Sequence, residues 1–379
     1  MDKESKKLLN MIMKNFPDKK NEEASLREML EAGRMKIKKK LHKVEPITDL
    51  KDMLNKSYDK YKNKVAFKYK IGKNEIKTIT YKEFIDDVNG LGTQLMKMGL
   101  LGKRIAVISE NRYEWTVAYL ATACGVGVIV PLDKSLPANE LESLIVRSGV
   151  EAIFYSKKYD EIMQDIKQRK TTDLRYYISM DLEERQDGVL SEREFIEKGK
   201  KLIEEGDRKF LDAEVDREGM TFMLFTSGTT AMSKAVMLSH KNICANIMDI
   251  ASVIRLTPDD TLLSFLPLHH TFECTVGFLY PIYAGASIAY CEGIRHIADN
   301  IKEFEISAMI SVPALYEGIY KRLIKSIEKK GKLQEVEMMC KLTSVLSRVG
   351  LDFRRAVFKE IHEQFGGRLR LLVSGAAAL

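Results

Sequence analysis

From residue 46 onward, short apolar runs alternate with longer stretches whose apolar positions recur at the spacing of a helix. The runs at 104–109, 127–130, 152–154 and 175–179 are bounded by turns or charged residues, and their length and branched residues predict buried strands. Helical periodicity covers 113–124, 139–147 and 161–169. Beyond a polar stretch at 181–216 the alternation resumes. Strands are expected there at 222–225, 235–238, 262–266, 287–290, 308–312 and 369–373, with helices over 241–253 and 313–328. Strand, helix, strand at this spacing predicts an α/β fold, two βα-rich subdomains with mainly parallel sheets covered by helices. The first is expected over 46–215 and the second over 216–379, after a basic extension at 1–45. The least charged stretch, 274–291, approaches the roughly 18 residues of a membrane span. Gly277, Pro281 and Gly285 break it, so a helix, a turn and a buried strand are expected instead of a transmembrane segment.

Composition narrows the partners. Of 379 residues, 45% are apolar and 30% charged, a globular balance that excludes intrinsic disorder and small disulfide scaffolds. Lys and Arg number 61 against 54 Asp and Glu, a surplus of 7, and 1–45 alone holds 13 against 8. The remainder is nearly neutral, whereas a protein that grips nucleic acid carries its surplus on the folded domain, so no nucleic-acid partner is expected. The cysteines Cys124, Cys244, Cys274, Cys291 and Cys340 form no C-x-x-C pair and are odd in number, which suggests neither a disulfide framework nor a zinc site. They are expected to be buried apolar side chains in a reducing, cytoplasmic setting. Lys36, Lys38, Lys39, Lys40 and Lys43 lie among Met35, Ile37 and Leu41. That pattern reads first as a solvated helical extension and second as a peripheral contact with an anionic membrane.

Candidate chemistry concentrates in one loop, Thr226-Ser227-Gly228-Thr229-Thr230-Ala231-Met232-Ser233-Lys234, between two expected strands. It offers five side-chain hydroxyls, a glycine and a lysine. Backbone N–H groups exposed by a turn, hydroxyl donors and a mobile ammonium are the parts that hold a polyphosphate. A Ser/Thr-rich hairpin whose hydroxyls satisfy its own backbone would share the composition. A Walker loop fits less well. Ser233 stands where its glycine would approach phosphate, Ala235 lacks the hydroxyl that ligates magnesium, and a strand rather than a helix follows.

The segment Thr226-Ser-Gly-Thr-Thr-x-x-x-Lys234-x-Val236-Met-Leu-Ser-His240 resembles the phosphate-loop motif of the adenylate-forming acyl-CoA synthetases, the AMP-binding superfamily. Further segments are similar in order and spacing: Ile108-Ser109-Glu110-Asn111-Arg112-x-Glu114-Trp115, Val130-Pro131-Leu132-Asp133, and Leu266-Pro267-Leu268-His269-His270-Thr271-Phe272-Glu273 in its long-chain fatty-acyl form. Val373-Ser374-Gly375-Ala376-Ala377 resembles the turn that borders the adenine in that family. The resemblance covers about 46–379 and implies an acetyl-CoA-synthetase-like amino-terminal domain, incomplete on its carboxyl side. It implies a carboxylate–CoA ligase: a carboxylate, here a fatty acid, reacts with Mg·ATP to an acyl-adenylate and pyrophosphate, and coenzyme A then takes the acyl group. Thr226, Ser227, Gly228, Thr229 and Thr230 would hold the β- and γ-phosphates, Lys234 would neutralise them, and Thr226 would lie near Mg2+. His270 would orient the carboxylate and α-phosphate. Ser374, Gly375, Ala376 and Ala377 would border the adenine, and His269, Thr271 and Phe272 would shape the acyl pocket.

The sequence departs from that pattern at Ala231 and Ala235, where the family has glycine, and at Ser233, where it has proline. Alanine would weaken ATP binding if either position needed positive φ. The family's later segments, a magnesium-holding glutamate, a ribose-binding aspartate, a hinge and a mobile domain with a catalytic lysine, have no counterpart in the 379 residues. An incomplete amino-terminal portion, inactive alone, is therefore the expectation. The alternative is a non-catalytic nucleotide- or acyl-binding module derived from the same family.

Overall fold

The structure is a computed structural model and describes residues 41–72, 75–226, 233–348 and 352–377. Helix α1 (Leu50–Tyr61) opens it, followed by the hairpin β1 (Val65–Lys70) and β2 (Ile76–Thr80) and by α2 (Tyr81–Lys97). A βα alternation runs through β3 (Arg104–Ile108), α3 (Tyr113–Ala121), β4 (Val128–Pro131), α4 (Ala138–Ser148), β5 (Ala152–Tyr155), α5 (Asp160–Arg169) and β6 (Tyr176–Ser179). A short β7 (Leu190–Ser191) and α6 (Glu192–Glu204) lead to the hairpin β8 (Met220–Thr226) and β9 (Lys234–Ser239) and to α7 (His240–Val253). Then come β10 (Thr261–Ser264), a π-helical turn (Glu273–Leu279), α8 (Tyr280–Ala284), β11 (Ser287–Tyr290), α9 (Ile297–Glu303), β12 (Ala308–Ser311), α10 (Pro313–Lys329), α11 (Leu333–Arg348) and, last of the strands, β13 (Leu371–Ser374).

The strands form two sheets, ordered β13-β12-β10-β11-β1-β2 and β7-β6-β5-β3-β4-β8-β9. Each is parallel except for one antiparallel hairpin at an edge, β1–β2 in the first and β8–β9 in the second. The expected parallel α/β architecture is therefore present, but its parts are interleaved. β1 and β2 join the sheet built from the second half of the chain, and β8 and β9 close the sheet built from the first. A single division near residue 215 does not separate the sheets, because it would cut the β8–β9 hairpin from the neighbour that it extends.

Period-two alternation explains the layering. Ile105 and Val107 of β3 face a central core while Ala106 and Ile108 face an outer one. In the other sheet, Leu262 and Ile288 face the same central core while Leu263 and Ala289 face outward. The central core is filled by α1, α2, α3, α7 and the π-helical turn; α4 and α5 cover one outer face, and α9 and α10 the other. Where the two sheets meet, Trp115 stacks on Tyr119 at 5.0 Å and meets Phe278 edge-on at 6.3 Å, and Tyr119 stacks on Phe222 at 5.8 Å.

His240 sits inside this core, with its Nδ1 accepting from the Leu50 N–H at 3.2 Å and its Nε2 donating to the Ala123 carbonyl at 3.0 Å. Those two bonds set the tautomer, and burial lowers the pKa of the ring, so His240 is a neutral structural tie. Cys124, Cys244 and Cys274 are buried as expected, but Cys291 is only half-buried and Cys340, on α11, is exposed. No described helix is long and apolar enough to cross a membrane.

Phe278 is 1% exposed at the seam between the sheets. Phe278→Ala is expected to cost about 3–5 kcal/mol. Urea unfolding followed through Trp115, the sole tryptophan, measures it; an unchanged midpoint would show that the seam can collapse around the loss.

Candidate functional site

Ligands of parallel α/β sheets bind outside the carboxyl ends of the strands, where the chain leaves each strand as a loop. Both sheets present such an edge, and one side chain ties the two together. Asn111, in the turn after β3, donates through Nδ2 to the Ser264 hydroxyl at 3.0 Å and to the Leu266 carbonyl at 2.7 Å. Its Oδ1 accepts from the Leu268 N–H at 3.3 Å. The loop after β10 is thus bonded to the end of β3 in the other sheet. This also explains why β10 stops at Ser264, short of the expected 266: the Leu266 carbonyl turns to Asn111 instead of a neighbouring strand.

The same loop carries the histidine pair. The His269 and His270 rings lie 4.3 Å apart at a 45° tilt. His270 is exposed, and its backbone is held at both sides: its N–H donates to the Pro267 carbonyl at 3.0 Å and its carbonyl accepts from the Cys274 N–H at 2.9 Å. The His269 side chain is only 8% exposed, with Nε2 3.3 Å from Asp133 Oδ1. That contact is close but out of line for a hydrogen bond, so Nε2 has no hydrogen-bond partner among the described residues. Burial pushes the His269 pKa down to about 4, against the opposing pull of Asp133. The ring is neutral at physiological pH and works as a spacer between Asp133 and His270.

Asp133 follows β4, and β4 runs parallel to β8, so the chain leaves both strands on the same edge. β8 ends at Thr226, which pairs in register with Lys234 at the start of β9. Both side chains are exposed. Arg147 of α4 braces this base, donating to the Ser233 carbonyl at 2.6 Å and stacking over Phe225 at 5.7 Å. Ser227, Gly228, Thr229, Thr230 and Ala231, named from the sequence, lie outside the described residues. Ala235 pairs with Phe225 inside the ladder. Its strand geometry has no need of the glycine found there in the resembling motif.

Across the other sheet, Ser374 ends β13 in register with Ser311 at the end of β12. Both hydroxyls are buried and lack a partner among the described residues. Two unmatched hydroxyls at a carboxyl edge are hydrogen-bonding capacity that no described residue uses. The next residue, Gly375, packs against Phe272 so closely that a Cβ there would meet the ring at 2.6 Å. The turn therefore abuts the histidine loop because position 375 has no side chain. Ala376 follows with φ 62°, a left-handed conformation that costs an alanine roughly 1 kcal/mol, and both Ala376 and Ala377 are exposed.

Thr226, Lys234, His270 and the Ser374–Ala377 turn are thus arrayed along the carboxyl ends of the two sheets. Asn111, Ser264, Asp133 and Glu273 complete the arrangement. Residue type alone assigns them no role, although a lone carboxylate inside the apolar run after the histidines is a visible signal for Glu273. Among the described residues no three His, Cys, Asp or Glu side chains come together to hold a metal. A magnesium ion near Thr226 would draw most of its oxygens from phosphate and water, as that ion commonly does. A cleft of about 1120 Å3 lies elsewhere, between α2, α6 and the turn after β3, and is lined by Tyr58, Tyr69, Arg112, Asp181 and Glu192. None of the candidate residues opens onto it.

The family model described as "AMP-binding enzyme" matches residues 54–379. Long-chain-fatty-acid–CoA ligase 5 of Rattus norvegicus is 28% identical over 326 residues, covering 80% of this chain and 47% of the relative. Among solved structures, the inhibitor-bound N-terminal domain of FACL13 from Mycobacterium tuberculosis superposes with a TM-score of 0.65 at 18% identity, covering 88% of this chain and 71% of that one. ATP-bound MatB from Rhodopseudomonas palustris gives 0.57 at 24% identity, over 72% and 51%. The chain spans about half the length of the relatives that it matches in sequence.

The electrostatics of His269 carry a measurable consequence. With its folded pKa near 4, below the ordinary value of 6.5, the unfolded chain takes up the proton first as pH falls. Stability is expected to be full above the unfolded value and to drop by roughly 3 kcal/mol between about pH 7 and about pH 4. Unfolding of the native chain beside His269→Asn isolates this contribution: the variant should lack that part of the acid loss, and parallel curves would contradict it.

Proposed function

The chain belongs to the AMP-binding enzyme family, and we propose that it is the part of an ATP-dependent fatty-acid–CoA ligase that binds ATP and forms the acyl-adenylate. In the first step a carboxylate oxygen bonds to the α-phosphorus as the bond to the bridging oxygen of pyrophosphate breaks. In the second, the sulfur of coenzyme A bonds to the acyl carbon, and AMP leaves with the bonding pair while the thiol proton goes to solvent. Neither step needs covalent help from the protein; both need position and charge compensation.

Thr226 and the hydroxyls that follow it would bind the β- and γ-phosphates, and Lys234 would balance the charge that grows on the departing pyrophosphate. Mg2+, held mainly by the phosphates beside Thr226, would supply further charge neutralisation. His270 would hydrogen-bond the carboxylate and the α-phosphate, with its ring set by the neutral His269 behind it. The unmatched Ser374 and Ser311 hydroxyls and the backbone opened by Gly375 would border the adenine. The observation that carries this reading is the convergence of three segments on the joined carboxyl edges: the base of the β8–β9 hairpin, the histidine loop and the turn after β13. The long-chain ligases among the relatives support a fatty acid as the substrate. Unpaired cysteines agree with a reducing, cytoplasmic setting.

Calorimetric titration with Mg·ATP is the direct test. The native chain is expected to bind, and Lys234→Ala to weaken binding at least tenfold, about 1.4 kcal/mol. ATP–pyrophosphate exchange in the presence of short, long and aromatic acids then tests the chemistry, with the strongest response expected for long-chain acids. Absence of both nucleotide binding and exchange would overturn the proposal.

A further inference from the structure

Glu273 heads the π-helical turn directly behind the histidine pair, and it is fully buried. Its Oε1 accepts from the Ser264 hydroxyl at 2.6 Å, while Oε2 has no partner among the described residues. The Ser264 oxygen in turn accepts from Asn111 Nδ2. A serine has one proton to donate and here gives it to Oε1, so a proton on Glu273 belongs on Oε2. One turn further on, a Cβ at Gly277 would stand 2.7 Å from the Glu273 carboxyl carbon, so the missing side chain at 277 leaves the room that this group occupies.

Ser264 and Glu273 are also the two ends of the loop 265–272, so their hydrogen bond closes it. Asn111 braces its middle at Leu266 and Leu268, and His270 sits on its last turn. We propose that Glu273 is a positioning residue for His270: bonded to Ser264, it closes the histidine loop from beneath and holds the imidazole at the joined sheet edges. The role for His270 rests on the ligase reading; the closure of the loop does not.

Burial raises the Glu273 pKa to about 8, and neither the Ser264 hydrogen bond nor Lys134 outweighs it. Cys274 on the same turn and Tyr290 of β11 also lie within its electrostatic reach, and burial keeps both protonated and uncharged. Asp133, His269 and His270 stand on the outer side of the loop. Ionisation would therefore leave a carboxylate in the core with one hydrogen bond, a state relieved by opening the loop to water. The sign follows: closure is fully stabilised below the ordinary carboxylate range, weakens as pH rises from there, and has lost this contribution by about pH 8.

Hydrogen exchange of the Leu268, His270 and Cys274 amides in the full chain, corrected for the intrinsic effect of pH, tests the device. From about pH 6 to about pH 7 the native chain should lose roughly tenfold in protection, and the loss should level off above about pH 8. Glu273→Gln, which keeps a partner for Ser264 and cannot ionise, should show no such loss. Ser264→Ala should expose the loop already at about pH 5, and protection unchanged there would overturn the proposal, as would an equal loss with rising pH in native chain and Glu273→Gln. Mg·ATP affinity measured alongside should fall in parallel with protection in the native chain and stay level in Glu273→Gln. If exchange behaves as stated while neither protein binds nucleotide at any pH, the ligase reading fails and the loop closure stands; level affinity in the native chain despite an opened loop removes the positioning role.

Discussion

The Asn111 side chain holds the two carboxyl edges in one place. The sheets share a core, and a shared core by itself allows sliding, because apolar contact has no preferred direction. Hydrogen bonds do have one. From the end of β3, Asn111 meets the Ser264 hydroxyl at the end of β10 and satisfies a carbonyl and an N–H on the segment after it, two groups that the early end of that strand would otherwise leave unmatched. Removing a buried partner of this kind costs more than the bond itself is worth, since each orphaned group loses its contact with water as well. The register between the hairpin base, the histidines and the turn after β13 therefore depends on an amide that lies outside all three.

Much of this was legible along the chain, and the failures have physical causes. Strands buried on both faces leave uninterrupted apolar runs, so β3 to β6 and β10 to β12 stood out. β1 and β2 alternate apolar residues with lysines and lie at a sheet edge with few buried positions, which left no such run to see. Helix α6 buries only Glu192, Phe195, Ile196 and Gly199, too thin a stripe to mark a helix inside a polar stretch. The interleaving of the sheets depends on pairings between distant segments, such as Phe67 with Ile288, and local periodicity carries no information about those. Hence the elements could be read while the interleaving of their sheets could not.

The candidate site was legible partly by composition and partly through the family resemblance, and opaque by geometry. Thr226 and Lys234 stand out because hydroxyls, a glycine and an ammonium in one loop are the parts that hold a polyphosphate, whereas His270 and the Ser374–Ala377 turn stand out only through the resemblance. Asn111, Ser264 and Glu273 are equally ordinary residue types elsewhere in the chain, and only their proximity gives them a role. The family resemblance would make Phe272 a lining for an acyl chain; what the structure shows is its ring pressed against Gly375, which couples the histidine loop to the turn after β13.

Two ionisable groups behind the exposed histidine are held without charge, and this follows from their order in the structure. Glu273 is kept protonated by burial and His269 is kept deprotonated by it, so the layer beneath His270 is electrically quiet at neutral pH. A buried carboxylate in that layer would attract the Lys134 ammonium and any cation that accompanies a nucleotide, and a buried imidazolium would draw phosphate inward, away from the edge. With both silent, the charges left at the rim include Lys234 on the hairpin and Asp133 beside the histidines. The acid and the imidazole thus act alike, because by staying neutral they leave direction to hydrogen bonds and leave charge compensation to groups in contact with solvent.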